Sequence, residues 1–156
     1  MNQTALLLAL LLAPPASAAT HPLDPLDGAE LEAAVAVVRK AKALPEGVFF
    51  PFVALQEPPK AELLAWKPGQ AFRREALLTV YDRSANAMSE AVVDLRAGAL
   101  ASWTPRPGEQ PNVMLEEFEK FPAVVKADAR WRAAMKKRGL APDTLWVDLW
   151  AAGPMS

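Results

Sequence analysis

The sequence offers few side chains for chemistry. It contains one His, His21, one Tyr, Tyr81, and no Cys. The absence of Cys excludes a cysteine nucleophile, a disulfide scaffold and any thiolate metal site. A catalytic zinc or copper centre with two or more imidazole ligands cannot form from a single His. Glu116 and Glu117 are adjacent, so on a helix they diverge and do not form an acid-base pair around one substrate.

The net charge and the absence of known motifs exclude further classes of function. The chain has 156 residues, with 17 Lys and Arg against 18 Asp and Glu, and a formal net charge of −1. This balance excludes an electrostatic nucleic-acid binder, which needs a basic excess to neutralise phosphates. The sequence contains no phosphate-binding loop, dinucleotide fingerprint, nucleophile elbow or zinc-protease motif. We therefore predict no catalytic, cofactor-binding or metal-binding residue in the chain.

Residues 1–18 have the pattern of a secretory signal peptide. The uncharged apolar run of residues 5–13 is too short to span a bilayer, which needs about 20 residues. Ala16-Ser17-Ala18 matches the small-residue cleavage site of such signals, although no Lys or Arg precedes the apolar run. We predict export to the periplasm or to the outside of the cell, and we exclude these residues from the fold.

Removal of the signal would leave one possible metal site. Cleavage after Ala18 makes Ala19, Thr20 and His21 the new terminus. A free amine, two deprotonated amides and an imidazole give square-planar nitrogen ligation, which suits Cu(II) or Ni(II). Cleavage one residue later destroys this arrangement. The simpler interpretation is that His21 opens the first folded domain.

The elements that follow predict an α+β domain over residues 19–104. Asp27 and Glu30 have capping-box spacing, and apolar residues then repeat at helical spacing over residues 28–42. Alternating and β-branched residues predict strands at 48–55, 75–82, 88–95 and 99–104, with Pro51 indicating an edge strand or a bulge. In a unit made of a helix followed by an antiparallel meander, the helix covers one face of the sheet. We expect Trp66 and Trp103 to lie in the core of this unit.

A second, incomplete unit is predicted after a linker at residues 105–111, where Pro and Gly interrupt every regular pattern. Apolar residues at helical spacing run from Leu115 to Gly139, which caps the helix, and Pro122 interrupts or restarts this helix. Residues 144–150 alternate between apolar residues and others as a strand does. A lone strand leaves its backbone groups without partners. We interpret residues 112–156 as the truncated start of another α+β unit, in which Trp146 and Trp150 are exposed.

Several segments resemble the amino-terminal N2 and N3 domains of copper-containing, topaquinone-dependent primary-amine oxidases. In the first unit the matching segments are His21-Pro22-Leu23-Asp24, Leu55-Gln56-Glu57-Pro58-Pro59-Lys60, Leu64-Ala65-Trp66, Tyr81-Asp82-Arg83, Glu90-Ala91-Val92-Val93-Asp94-Leu95 and Ser102-Trp103-Thr104. In the second unit they are Met114-Leu115-Glu116-Glu117-Phe118, Lys137-Arg138-Gly139 and Val147-Asp148-Leu149-Trp150. The family usually has Pro where Leu149 stands. The segments occur in the family's order over nearly the whole mature chain.

The resemblance implies a cystatin-like α+β fold for each unit: a helix on a four-stranded antiparallel sheet in N2, followed by an incomplete N3. Complete relatives continue into a catalytic β-sandwich domain, through which they form homodimers. Copper, held by three His, and topaquinone, made from the Tyr of an Asn-Tyr-Asp/Glu motif, convert primary amines to aldehydes, ammonia and hydrogen peroxide there. Tyr81 lacks the preceding Asn, and His21 is alone. We therefore expect a non-catalytic fragment without copper or topaquinone, whose partner is the missing catalytic domain.

An alternative from another functional class is a free-standing exported binding module. A cystatin-like inhibitor or a small envelope domain of the PepSY type would share the α+β pattern, and the hairpin of residues 90–103 has the PepSY form. Gln56 is followed by Glu57-Pro58 rather than by the Q-x-V-x-G loop of inhibitory cystatins. This departure argues against protease inhibition.

Overall fold

The computed structural model describes residues 19–150. The predicted signal peptide at residues 1–18 lies outside the described residues. The chain divides into two compact units, with the boundary between Pro107 and Gly108.

Helix α1 (Gly28–Lys42) has the predicted bounds and the predicted capping box. The Asp27 carboxylate accepts the Glu30 N–H at 2.8 Å, and the Glu30 carboxylate accepts the Asp27 N–H at 3.0 Å. The helix ends at Ala43, whose φ of +50° lies in the left-handed region. The Leu44 N–H then donates to the Arg39 carbonyl at 3.0 Å, which closes a Schellman-type cap.

Four strands follow in the order of the chain and form one antiparallel sheet, β1-β2-β3-β4. Their bounds are β1 (Val48–Gln56), β2 (Glu75–Asp82), β3 (Ala87–Asp94) and β4 (Ala99–Pro105), within one residue of the prediction at each end. Strand β1 lies at the edge of the sheet, and its register shifts between Phe49 and Phe52, as the edge strand or bulge predicted from Pro51 requires. A short helix that was not predicted, α2 (Lys60–Ala65), lies between β1 and β2, because six residues are too few to show a helical period.

The core lies between α1 and one face of the sheet. Ala34 and Val38 of α1 are fully buried against the sheet, as are Ala76, Leu78, Ala91 and Val93 of β2 and β3. The alternation predicted for β2 and β3 therefore places the correct face inward. Trp103 is half-buried and packs against this core, as predicted. The α+β fold with a helix on a four-stranded antiparallel sheet is confirmed.

The second unit differs from the prediction in the position of its helix break and in its final strand. Helix α3 (Leu115–Ala127) continues through Pro122, and the break before helix α4 (Ala129–Lys137) falls at Asp128. Asp128 has an extended ψ of 120°, and its carboxylate accepts the N–H groups of Arg130 and Trp131 at 2.8 and 3.1 Å. The Asp128 side chain, which caps the start of α4, therefore places the break between the two helices.

The strand predicted at residues 144–150 is wrong. A 3₁₀ helix (Pro142–Thr144) occupies its start, and residues 145–150 join no sheet within the described part of the chain. Strand structure requires a hydrogen-bonded partner, which alternation of side chains does not supply. The cap at Gly139 is confirmed by its φ of +73° and by the Leu140 N–H donating to the Met135 carbonyl at 3.0 Å. No helix in the described range has the length and apolar character needed to cross a bilayer.

Candidate functional site

The chain before α1 forms a tight turn that we call the amino-terminal strap (residues 20–25). The Asp24 carboxylate accepts the N–H groups of Thr20 and His21 at 2.7 and 2.8 Å. These backbone hydrogen bonds, that of His21 first, lower the pKa of Asp24 below its ordinary value. Pro22 is among the fully buried side chains, so the strap is packed onto the domain.

A buried ion pair fixes the strap to the sheet. Arg74 and Glu30 have side chains only 1% and 5% exposed, and two hydrogen bonds of 2.8 and 2.6 Å join them. The same guanidinium donates to the backbone carbonyls of Asp24 at 2.6 Å and Pro25 at 2.9 Å. All three guanidinium nitrogens therefore have acceptors, and the strap, α1 and the residue before β2 are held together. Sequence reasoning missed Arg74, because nothing in the sequence distinguishes it from the exposed Arg73 beside it.

The geometry of His21 bears on the square-planar metal hypothesis. Its Nδ1 accepts the Leu23 N–H at 3.1 Å, and its ring meets Trp66 edge-on at 4.9 Å. The amide nitrogens of Thr20 and His21 donate to Asp24. Three of the four nitrogens that such a site needs are thus engaged elsewhere, and metal binding would require the loss of their hydrogen bonds. Within residues 19–150, no group of three or more His, Cys, Asp or Glu side chains is arranged to hold a metal ion.

An open cavity of about 270 Å³ lies beside the strap. Its apolar lining includes Pro22, Leu63, Trp66 and Phe72. Trp66 was expected in the core; instead it lines this cavity, with its Nε1 donating to the Gln70 carbonyl at 2.9 Å. Glu62 and Arg73 also line the cavity and pair with each other at 3.0 Å. The lining thus combines apolar contact surface with one half-exposed ion pair.

The remaining residues singled out in the sequence are Tyr81, Trp146 and Trp150. Tyr81 donates its hydroxyl hydrogen to the Asn86 side-chain oxygen at 2.9 Å, across the turn between β2 and β3. Trp146 and Trp150 are 89% and 82% exposed, which confirms their predicted exposure. In the second unit, a bidentate ion pair between Arg132 and Asp143 lowers the pKa of Asp143. This pair connects α4 to the 3₁₀ helix, so it is structural.

Comparison with known proteins identifies this architecture. Residues 28–103, which include α1 and most of the sheet, match the family model of the AGAO-like N2 domain. The chain is 39% identical over 136 residues to a primary amine oxidase of Arthrobacter sp. (strain P1), covering 86% of this chain and 20% of that protein. It is 32% identical over 169 residues to a peroxisomal copper-containing diamine oxidase of Nicotiana tabacum, covering 85% of this chain and 22% of that protein.

A solved structure shows the same fold. A copper-containing benzylamine oxidase from Hansenula polymorpha superimposes with a TM-score of 0.62 at 22% sequence identity, over 78% of this chain and 20% of the oxidase. The chain thus spans about a fifth of the length of the relatives it matches. The first unit therefore matches the N2 domain model, and the chain is similar to the amino-terminal region of copper-containing amine oxidases.

The described residues do not fit the copper and quinone of that family. A site with three His ligands cannot form from His21, and Tyr81 lies in a β-hairpin where it binds Asn86. The Asp24 carboxylate beside His21 accepts backbone N–H donors, which satisfy a carboxylate rather than coordinate a cation. No step of amine oxidation can be assigned to these residues.

Proposed function

We propose that this chain serves as a non-catalytic amino-terminal region of a copper- and topaquinone-dependent primary-amine oxidase, and that its role is to pack against the catalytic domain. The observation that carries the proposal is the N2 match over residues 28–103 together with relatives that are themselves copper amine oxidases. The N2 domain has a buried apolar core, and its strap is fixed by a guanidinium whose three nitrogens all have acceptors. These are features of a rigid scaffold.

The proposal extends to the domain organisation. Residues 19–104 form the N2 domain, residues 105–111 a linker, and residues 112–156 the start of an N3-like domain. The alignment to the Arthrobacter oxidase supports the last assignment, because its 136 residues extend well beyond the range 28–103. The exposed apolar residues of the second unit, among them Leu115, Val124 and Trp146, are what a domain that packs against others would present.

We extend the proposal to the cofactor, the assembly and the location of the protein. Copper and topaquinone belong to the catalytic domain, which also forms the homodimer of the complete enzyme. Residues 1–18 direct export to the periplasm or beyond.

Reconstitution tests the proposal. The catalytic region of the Arthrobacter oxidase, expressed without the part that this chain matches, should co-purify with this chain and gain soluble yield. The control is the same oxidase with its own amino-terminal region, which should not capture the chain because the surface is already covered. The chain alone, supplied with copper and benzylamine or tyramine, should release no hydrogen peroxide. Peroxide release by the chain alone, or failure to co-purify, would contradict the proposal.

The cavity beside the strap favours a second candidate, an exported cystatin-like or PepSY-like binding module. Its apolar lining, with Trp66 and Phe72, would bury part of a small ligand. Genomic DNA downstream of codon 156 separates the two functions. A tyrosine-quinone motif and a His-x-His pair there support the oxidase, and their absence in all frames supports the module.

A further inference from the structure

We draw no further inference here: the strongest candidate, the open cavity beside the amino-terminal strap with Pro22, Trp66 and Phe72 in its lining, carries nothing, because its charged lining side chains Glu62 and Arg73 neutralise each other and nothing in the structure shows what would occupy it.

Discussion

At the scale of single residues, Arg74 holds three segments of the first unit together. Its guanidinium, 1% exposed, joins Glu30 of α1 to the carbonyls of Asp24 and Pro25. Arg74→Met should lower the free energy of unfolding by about 3–5 kcal/mol, because Glu30 keeps a buried charge without its partner. Urea denaturation followed by circular dichroism measures the change.

The neighbouring Arg73 provides the control for this prediction. It pairs with Glu62 at 3.0 Å and, at a longer 3.5 Å, with Glu75, but its own side chain is 47% exposed. Arg73→Met should therefore change stability by less than about 1 kcal/mol. Replacing Glu30 and Arg74 together by Met should recover much of the loss, since no buried charge remains. Equal effects of Arg73→Met and Arg74→Met would refute the role given to burial.

The same pair shows what could be predicted from sequence at this scale. The capping role of Glu30 was predictable, because Asp27 and Glu30 are three residues apart and their partners are local. The bond between Glu30 and Arg74 spans 44 residues of sequence, so only the folded chain brings them together. Trp66 was misplaced for the same reason: its neighbours His21 and Phe72 come from segments without a periodic pattern.

At the scale of elements, the end of α1 contains a residue poorly suited to its conformation. Ala43 has a φ of +50°, where a Cβ is unfavourable and glycine is preferred. Ala43→Gly should raise the free energy of unfolding by about 1 kcal/mol. Ala41→Gly, two residues earlier and inside the helix, should lower it by about 1 kcal/mol. Thermal denaturation of both variants checks the opposite signs; the same sign in both would contradict the cap.

The start of α4 predicts a dependence on pH. The side chain of Arg130 and the backbone N–H of Trp131 lower the pKa of Asp128 from 3.8 to about 2. A lowered pKa means that the carboxylate stabilises the folded helix fully above pH 3.8, and that this contribution is lost as the pH falls from 3.8 towards 2. Asp128→Ala should therefore reduce helicity at neutral pH, and the difference from the original chain should disappear near pH 2. Circular dichroism against pH measures it; a difference that persists at pH 2 would contradict capping by the carboxylate.

The elements that could be predicted have a regular apolar pattern over many residues and one buried face. Apolar residues of α1 repeat at helical spacing, and those of β2 and β3 recur at alternate positions of strands eight residues long, so one face of each element enters the core. The break at Asp128 and the unpaired residues 145–150 were not predictable. The first depends on a local carboxylate that captures two N–H groups, and the second on whether a partner strand is present.

At the scale of the whole molecule, the apolar core is distributed unevenly. The buried core residues, from Ala34 to Val93, all belong to the first unit. Helices α3 and α4 contain no buried residue, and Leu115 and Val124 of α3 are 80% and 69% exposed. Since burial of apolar area is the main favourable contribution to folding, the second unit gains much less of it. The two units should therefore differ in stability.

Limited proteolysis with thermolysin, which cleaves before large apolar residues, should show this difference. The second unit should be digested first, because its apolar residues are exposed and its local opening needs little free energy. A fragment that ends near Pro107 should then persist, and mass spectrometry should identify it. Leu78→Ala, which opens a cavity in the core at a cost of about 2–5 kcal/mol, should shorten the lifetime of that fragment without changing the first cleavages. Simultaneous loss of both units would show that they unfold as one body, and the first unit could not then act as an independent scaffold.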